Sequence, residues 1–527
     1  MHPVETFETV LVLLAAVIAL HWAAARIGLP PSASLLVGGG ALAFIPGLPE
    51  ISLDPELALV LFLPPLLFDG AYYTAFGRFR RHLAGILSLA LGAVLFTTLV
   101  VGVVTRWLLP ELPWAACFAL GAIVSPPDAV AARAVLQRVT LPRRLQALLE
   151  GESLLNDATG LVLFRFAVAA TLSGAFDAGA AVASFVFLGA GGAVVGAAVG
   201  AASMLLIRRM TDETLVVAAA SLLCWAAYLA GEALHVSGVI ATVTAGLLFG
   251  WFQHVVLPAR VRLQGTAFWR TLVFSLEALV FILIGFSLRG TLDRAGGIEA
   301  VLTTMTLPIL GVVFAVTAAR FAWVFGSDAL LAALRRAGPK RARPLGWRQA
   351  GVLSWAGMRG VVTLAVALTL PEAMPGRDLM LVAAFAIILV TVIVQGASLG
   401  WVIRRLRPVD GDPPASMDLP ASEAAVARAK LAAVESYAYD ADGTLVHPQL
   451  LDTYRQRAAA TDRYARDADG FMSDLSPHFD GILAAIAAGR AELVRLHRAG
   501  QIEDEVLHDL ERDLDFEEMS IILQRGD

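Results

Sequence analysis

The sequence predicts an all-α polytopic membrane protein with about 13 transmembrane helices and a cytoplasmic helical tail. Of its 527 residues, 57% are hydrophobic and only 16% are charged, and the mean hydropathy is +0.71. A soluble globular chain carries about 25% charged residues. Apolar runs recur up to about residue 407, and each is long enough to cross ~30 Å of hydrocarbon as a helix. A soluble enzyme with one large core is therefore excluded.

The predicted spans are these apolar runs, taken in chain order. Cys117 and Cys224 lie inside two of them without metal-ligand spacing, so we expect small buried hydrophobes and neither a disulfide nor a metal site. The first run lacks the basic segment and the cleavage site of a signal peptide, so we expect a retained span. The spans cover approximately residues 6-26, 32-48, 56-75, 83-107, 114-136, 144-172, 179-207, 213-232, 236-252, 268-288, 300-326, 348-371 and 379-404.

The loops between these spans alternate in charge. One set of loops carries about 22 Lys and Arg residues, whereas the opposite set carries 4, namely Arg106, Arg289, Arg294 and Arg377. Cytoplasmic loops carry the excess of positive charge in membrane proteins. We therefore predict an N-terminus outside and a C-terminus in the cytoplasm, which an odd number of spans requires.

The composition changes after Pro408, so we predict a transmembrane domain at 1–407 and a tail at 408–527. The stretch VDGDPPASMDLPAS is typical of a linker. The tail carries 11 Lys/Arg and 24 Asp/Glu, a net charge of −13 in a chain of net charge −5. We interpret it as a solvated acidic helical segment, with a ligand-sensing domain as the alternative. Membrane lipid is the expected surrounding, and no nucleic-acid partner is expected.

Ionisable side chains occur inside the predicted spans. Each costs about 2.5–3.5 kcal/mol at a helix centre on insertion scales, so it needs a partner or a function. Snorkelling towards the headgroups is a sufficient account of Arg165 and Arg320. For Glu277, a structural ion pair and a transport role stay open. Arg359 is central in its span and should have a carboxylate partner. The full set is Asp69, Asp128, Glu150, Glu152, Asp157, Glu277, Arg165, Arg320 and Arg359.

The stretch GESLLNDATG places a polar stripe in the sixth span. Ser153, Asn156, Asp157 and Gly160 lie three or four residues apart, and such residues share one face of a helix. Glu152 lies one step around the helix. The stripe predicts one wall of a cavity, with Glu152 reaching sideways to an arginine. The alternative is a polar seam between two helices.

Two spans contain signals that break a helix. In the fifth span the proline pair of SPPDAVAA should end the helix at Ser125, because proline lacks the N–H donor and clashes with the preceding turn. The twelfth span has a soft point at AGMRG. Interrupted spans in both halves of a chain indicate an inverted-repeat secondary transporter with a midplane site. Asp128 near the free amides and Arg359 near the free carbonyls would neutralise the helix ends.

Two further features lie in the third and seventh spans. In FLPPLLFDGAY, Asp69 follows another proline pair. The simpler interpretation is that the proline pair kinks the helix. The more specific one is that Asp69 is a carboxylate on the access route to the site. In the seventh span Gly192, Gly196 and Gly200 have the GxxxGxxxG spacing that permits close helix packing. We expect packing within the chain, with a dimer contact as the alternative.

The motifs ESLLNDATG, SPPDAVAA, FLPPLLFDGAY and GMRGVVTLA together resemble the bacterial monovalent cation:proton antiporters of the NhaP type. The resemblance covers the membrane part. It implies thirteen helices, a core domain of six helices with two crossed broken helices, and a dimerisation domain, hence a homodimer in the bacterial inner membrane. It also implies no enzymatic activity and no cofactor. The transported ions would be H⁺ and Na⁺, or Li⁺ or K⁺ in place of Na⁺.

The resemblance also implies roles for single residues. Asp157 resembles the carboxylate that binds either cation or proton, with Asn156 as its partner. Glu152 and Arg359 resemble the family's ion pair. One departure leaves the main-chain ligand of the fifth span open, since Ser-Pro-Pro-Asp stands where many relatives have Thr-Asp-Pro. The further ligands implied for the cation are Ser153, Asp128, the Ser125 main chain and Asp69.

The chemistry of these groups predicts exchange. Small hard cations prefer oxygen ligands, and burial disfavours a charged carboxylate, so proton and cation should compete for Asp157. An amide cannot release a proton, so Asn156 predicts one proton per cation and no net charge movement. Two alternatives come from other classes. They are a channel or sensor governed by the acidic tail, and an intramembrane aspartyl protease using Asp128 and Asp157.

Overall fold

The computed structural model describes residues 3–27, 30–45, 55–128, 139, 141–175, 177–337, 343–412 and 417–525. Eighteen helices lie in these ranges. They are α1 (Pro3–Ile27), α2 (Pro31–Ala43), α3 (Pro55–Tyr73), α4 (Phe76–Leu108), α5 (Trp114–Val124), α6 (Arg143–Ser173), α7 (Ala178–Ile207), α8 (Glu213–Ala233), α9 (Gly238–Val256), α10 (Ala259–Arg294), α11 (Gly297–Ala337), α12 (Trp347–Trp355), α13 (Val361–Leu368), α14 (Arg377–Leu406), α15 (Leu419–Ala438), α16 (Pro448–Arg466), α17 (Ala468–Arg498) and α18 (Asp504–Arg525).

The predicted all-helical membrane fold is confirmed. Among the described residues, nine helices are long and apolar enough to cross a membrane by length and composition, and α2 and α5 are shorter apolar helices. Every predicted span overlaps a helix, and the twelfth overlaps two, α12 and α13. The total of 13 spans stays a prediction.

The chain divides into two compact units, Met1–Gly411 and Asp412–Asp527. In the second unit, α15 packs on α16 and α17 packs on α18. Arg490 of α17 lies 2.6 Å from both Asp515 and Glu518 of α18. The second unit is therefore a set of helical hairpins with ion pairs at its surface.

The helices of the first unit form two groups. The crossing bundle comprises α4, α5, α6 and α11 to α14, which pack mainly on one another. The flanking bundle comprises α1 to α3 and α7 to α10. Among the described helices, seven pairs join the two bundles, including α3 with α13, α6 with α9 and α10 with α14. The interrupted segments lie in the crossing bundle.

The proline pair of α3 does not interrupt that helix, which runs on to Tyr73. Pro65 cannot donate a hydrogen bond to the carbonyl of Leu61 one turn earlier. Trp225 of α8 supplies the missing donor, since its Nε1 lies 3.3 Å from Leu61 O. An indole N–H therefore takes the place of the missing main-chain donor in the stretch of α3 before Asp69.

The glycine stripe of α7 packs within the chain. Gly192, Gly196 and Gly200 are buried. A Cβ added at Gly192 would lie 2.6 Å from Ser237 O, and one at Gly196 would collide with the main chain of Ala241. Glycine thus allows the main chains of α7 and α9 to approach closely. The expectation of packing within the chain is confirmed. Both cysteines are buried free thiols, as expected.

Candidate functional site

The fifth span is broken where the proline pair predicts. Helix α5 ends at Val124, Ser125 forms its C-terminal cap, and the chain stays non-helical to Asp128. Ser125 and both prolines are buried, whereas Asp128 is partly buried. The rest of this predicted span lies outside the described residues. The carbonyls of the last turn of α5 have no helical partner and need donors from elsewhere.

The twelfth span is broken at AGMRG. Helix α12 ends at Trp355, and α13 begins at Val361. The five residues between them are buried. The predicted soft point is therefore a full interruption, with free carbonyls on the α12 side and free amides on the α13 side.

The two interruptions cross and are joined by main-chain and side-chain hydrogen bonds. The Asp128 N–H donates to Met358 O at 2.7 Å. From α6, Asn156 Nδ2 donates to Pro127 O at 2.5 Å. The polar stripe of GESLLNDATG is thereby tied to the crossing through Asn156.

Arg359 neutralises the carbonyl end of α5. Its Nε lies 3.0 Å from Val124 O, its Nη2 lies 3.3 Å from Ser125 O, and its Nη1 donates to Gly357 O. The side chain is 1% exposed. Its own N–H donates to Thr391 Oγ1 at 3.0 Å. The expected role of Arg359 at free carbonyls is confirmed.

Asp128 neutralises the amide end of α13. Its Oδ2 accepts a hydrogen bond from the Val361 N–H at 3.3 Å. A side chain at Gly360 would collide with this carboxylate, so glycine permits the approach. Asp128 and Arg359 thus hold opposite helix ends at one crossing, as their charges predict.

The predicted Glu152–Arg359 ion pair is wrong, because Glu152 pairs with Arg320 of α11. Its two oxygens lie 2.6 and 2.9 Å from Nη1 and Nη2 of Arg320. Arg320 also donates to Leu353 O of α12, from Nε at 3.2 Å and from Nη2 at 3.1 Å. Arg320 is 3% exposed, so the snorkelling interpretation fails as well. It lies within the long helix α11 and not at its end, so its charge needs an internal partner.

Asp157 lies on α6 beside the crossing and is 8% exposed. Gly160, almost one turn later on the same helix, lies against Pro126 of the fifth-span interruption. Asn156, the neighbour of Asp157, is fully buried, and its Oδ1 accepts no hydrogen bond within the part of the chain that the structure describes. Ser153 lies one turn earlier on the same helix and is partly buried. Oxygen atoms of carboxylate, amide and hydroxyl groups therefore gather next to the two interruptions.

Asp69 and Glu277 lie on α3 and α10, two helices of the flanking bundle. Asp69 is 6% exposed, and its Oδ1 accepts a hydrogen bond from Trp269 Nε1 of α10 at 3.0 Å. Glu277 is partly buried further along the same helix α10. The predicted ligand Asp69 thus belongs to one bundle, and Asp157 belongs to the other.

Sequence reasoning missed three residues with direct contacts to the predicted ones. Thr98 Oγ1 of α4 lies 3.1 Å from Ser125 Oγ, Thr391 holds the main chain of Arg359, and Trp269 holds Asp69. Threonine and tryptophan are ordinary residues of membrane helices, so nothing in their sequence pattern distinguishes them. The partners of Thr98 and Thr391 lie 27 and 32 residues away in neighbouring spans, whereas the partner of Trp269 lies 200 residues away.

Two interrupted helices that cross within a membrane bundle, with charges at their ends, define a secondary transporter. A profile of the sodium/hydrogen exchanger transmembrane family matches residues 11–405. The chain belongs to this family. The family consists of transporters and not of enzymes, so the protease alternative is dropped.

Similar proteins carry names that fit this family. An uncharacterized Na(+)/H(+) exchanger of Mycobacterium tuberculosis is 34% identical over 515 residues, covering 94% of this chain and 92% of that protein. The sodium, potassium, lithium and rubidium/H(+) antiporter of Bacillus pumilus is 35% identical over 415 residues, covering 75% of this chain and 61% of that protein. The sodium proton antiporter MjNhaP1 from Methanocaldococcus jannaschii shares the fold, with a TM-score of 0.59 at 20% identity over 76% of this chain and 99% of that one.

Proposed function

We propose that this chain exchanges one monovalent cation for one proton across the bacterial inner membrane, with Asp157 binding either ion. The observation that carries the proposal is the position of Asp157, which is buried beside two crossed helix interruptions. Burial disfavours its ionised form. A proton and a cation are the two ligands that can neutralise it in turn.

The oxygen atoms near Asp157 favour a small hard cation as ligand. Asn156 Oδ1 is buried without a hydrogen-bond donor among the described residues, and an unsatisfied buried oxygen gains from a cation ligand. Asp128, Ser153 and the Ser125 main chain supply further oxygens. We propose Na⁺ as the main cation, with Li⁺ and K⁺ as alternatives, because the relatives' names have Na⁺ in common.

Alternating access gives the coupling. Asp157 lies in the crossing bundle and Asp69 in the flanking bundle. We propose that the crossing bundle moves only when Asp157 is neutralised by either ion, which makes the exchange obligatory. The proposed orientation has the N-terminus outside and the C-terminus inside, and it rests on the positive charge of alternate loops. A homodimer is proposed from the resemblance.

The test is dequenching of a pH-sensitive dye in everted vesicles, titrated with Na⁺, Li⁺ and K⁺ over a range of pH. Wild-type protein should give saturable, proton-coupled exchange, whereas Asp157→Asn should give none. Glu150→Gln is the matched control on α6, because Glu150 binds Gln146 at 2.8 Å on the exposed side of the helix. Exchange retained by Asp157→Asn, or a non-saturable flux, would overturn the proposal.

The stoichiometry has its own test. One carboxylate cycles beside an amide that cannot release a proton, so the exchange should move no net charge. In proteoliposomes the exchange rate should not respond to an imposed membrane potential. A rate that follows the potential would contradict the ratio of one to one.

A further inference from the structure

The carboxylate of Asp69 is held by an indole. Trp269 Nε1 on α10 donates to Asp69 Oδ1 on α3 at 3.0 Å. The tryptophan is 7% exposed and the aspartate 6%. Hydrogen bonds to a charged group are stronger than neutral ones, and burial removes the competing water. This contact fixes the direction in which the carboxylate points.

Tryptophan is suited to this role because it can only donate. Its indole N–H has no lone pair for a cation and takes up no proton. Trp269 therefore stays bound to Asp69 whether the transported ion is a cation or a proton. A serine or histidine in its place could itself bind the ion or titrate.

The ring of Trp269 is held in place by its neighbours. It makes an edge contact with Phe68, with ring centroids 5.5 Å apart. Both rings line a cavity of about 40 Å³, together with Tyr72 and Arg262 among others. Packing of the ring therefore holds the indole N–H where it meets the Asp69 carboxylate.

We propose that Trp269 is a positioning residue that sets cation affinity through Asp69. The inference rests on the proposed function, in which Asp69 of the flanking bundle contributes to cation binding. A cation needs several oxygens at fixed positions, whereas a proton needs one. Loss of the indole N–H therefore weakens the cation-bound state more than the protonated state.

The chain offers a matched control for this residue. Trp225 of α8 also donates its indole N–H to α3, but to the main-chain oxygen of Leu61 at 3.3 Å. Trp225→Phe and Trp269→Phe each remove one indole N–H that donates to α3. Only Trp269→Phe removes it from a carboxylate.

The experiment is Na⁺ titration of exchange in everted vesicles for both variants. Trp269→Phe should raise the KM for Na⁺ about tenfold, the ratio that one hydrogen bond to a charged group can supply. Its maximal rate should change by less than about twofold. Trp225→Phe should leave the KM at the wild-type value. An unchanged KM in Trp269→Phe, or an equal rise in both variants, would overturn the inference.

A double-variant measurement separates positioning from packing. Asp69→Ala alone should raise the KM, and Trp269→Phe added to it should raise the KM no further. A further rise in that background would show a packing role and overturn the inference. The proposed function would be refuted by a different result, namely no exchange by the wild-type protein or exchange that persists in Asp157→Asn. Failure of the Trp269 inference and failure of the proposed function are therefore distinguishable.

Discussion

Arg320 and Arg359 lie beside the same glycine, Gly357, and are compensated in different ways. Arg320 is 3% exposed and makes a bidentate ion pair with Glu152. Arg359 is 1% exposed and donates to three main-chain oxygens at the crossing. Arg359 is therefore held by hydrogen bonds to main-chain oxygens at helix ends, whereas Arg320 is held by a carboxylate. The two arginines should differ in what their removal costs.

The largest expected effect is that of removing Arg320. Arg320→Met leaves the buried Glu152 without its partner and should lower the free energy of unfolding by about 3–5 kcal/mol. Thermal unfolding of the detergent-solubilised protein measures it. Adding Glu152→Leu should restore most of the loss, because no charge is then left unpaired. A double variant as unstable as the single one would contradict the ion pair.

A smaller loss is expected from Arg359→Met, about 1–3 kcal/mol, because it leaves carbonyls without donors but leaves no carboxylate unpaired. The exchange rate should fall by a larger factor than the loss of stability explains, since the end of α5 loses its neutralising charge. Adding Glu152→Leu should not restore stability here. Rescue by Glu152→Leu in this background, measured in the same unfolding assay, would mean that Glu152 pairs with Arg359 after all.

The same contrast can be drawn for two neutral hydroxyls of α4. Thr98 Oγ1 donates to Ser125 Oγ, whereas Thr105 Oγ1 is buried without a partner among the described residues. Thr98→Val should cost about 0.5–1.5 kcal/mol of unfolding free energy. Thr105→Val should be neutral or slightly stabilising in that measurement. Equal losses from both variants would show that side-chain shape matters here and hydrogen bonding does not.

The smallest effect is expected at an exposed pair in the second unit. Glu492 and Arg495 of α17 lie 2.6 Å apart at the surface, and the hydrogen bond from Arg495 lowers the pKa of Glu492 below its usual range. Any stabilisation from this pair is present above the unfolded-state pKa and is lost as the pH falls through the lower folded-state value. Solvent screens such a pair, so Glu492→Gln should leave the thermal midpoint at pH 7 unchanged. A clear shift would contradict the contrast between buried and exposed pairs.

The breaks in the fold could be predicted because their causes are local. The proline pair after Ser125 and the glycines around Arg359 act on their own main chain, and both interruptions lie where these residues predict. Asp128 could be matched to free amides, and Arg359 to free carbonyls, by sign of charge. The proline pair of α3 shows the limit of this inference, because a donor from the neighbouring helix α8 leaves α3 uninterrupted.

The pairing across helices could not be predicted, because it depends on which helices pack together. Arg320 and Glu152 are 168 residues apart in the chain, and a charge in the sequence does not reveal which helix faces it. A central arginine predicts a carboxylate partner, and the family resemblance implies Glu152 for Arg359, whereas the packing of α11 brings Arg320 to Glu152. The contact of Trp269 could not be predicted for the same reason, since only the packing of α10 on α3 brings its N–H to Asp69.

The carbonyl oxygens around Arg359 give the crossing a property that a carboxylate partner would not. A carboxylate loses its charge when the medium becomes acidic, whereas a peptide carbonyl does not titrate. The three carbonyls that hold Arg359 therefore remain hydrogen-bond acceptors at acidic pH, where a carboxylate partner would take up a proton. In the proposed exchange, protonation of Asp157 would leave these acceptors unchanged.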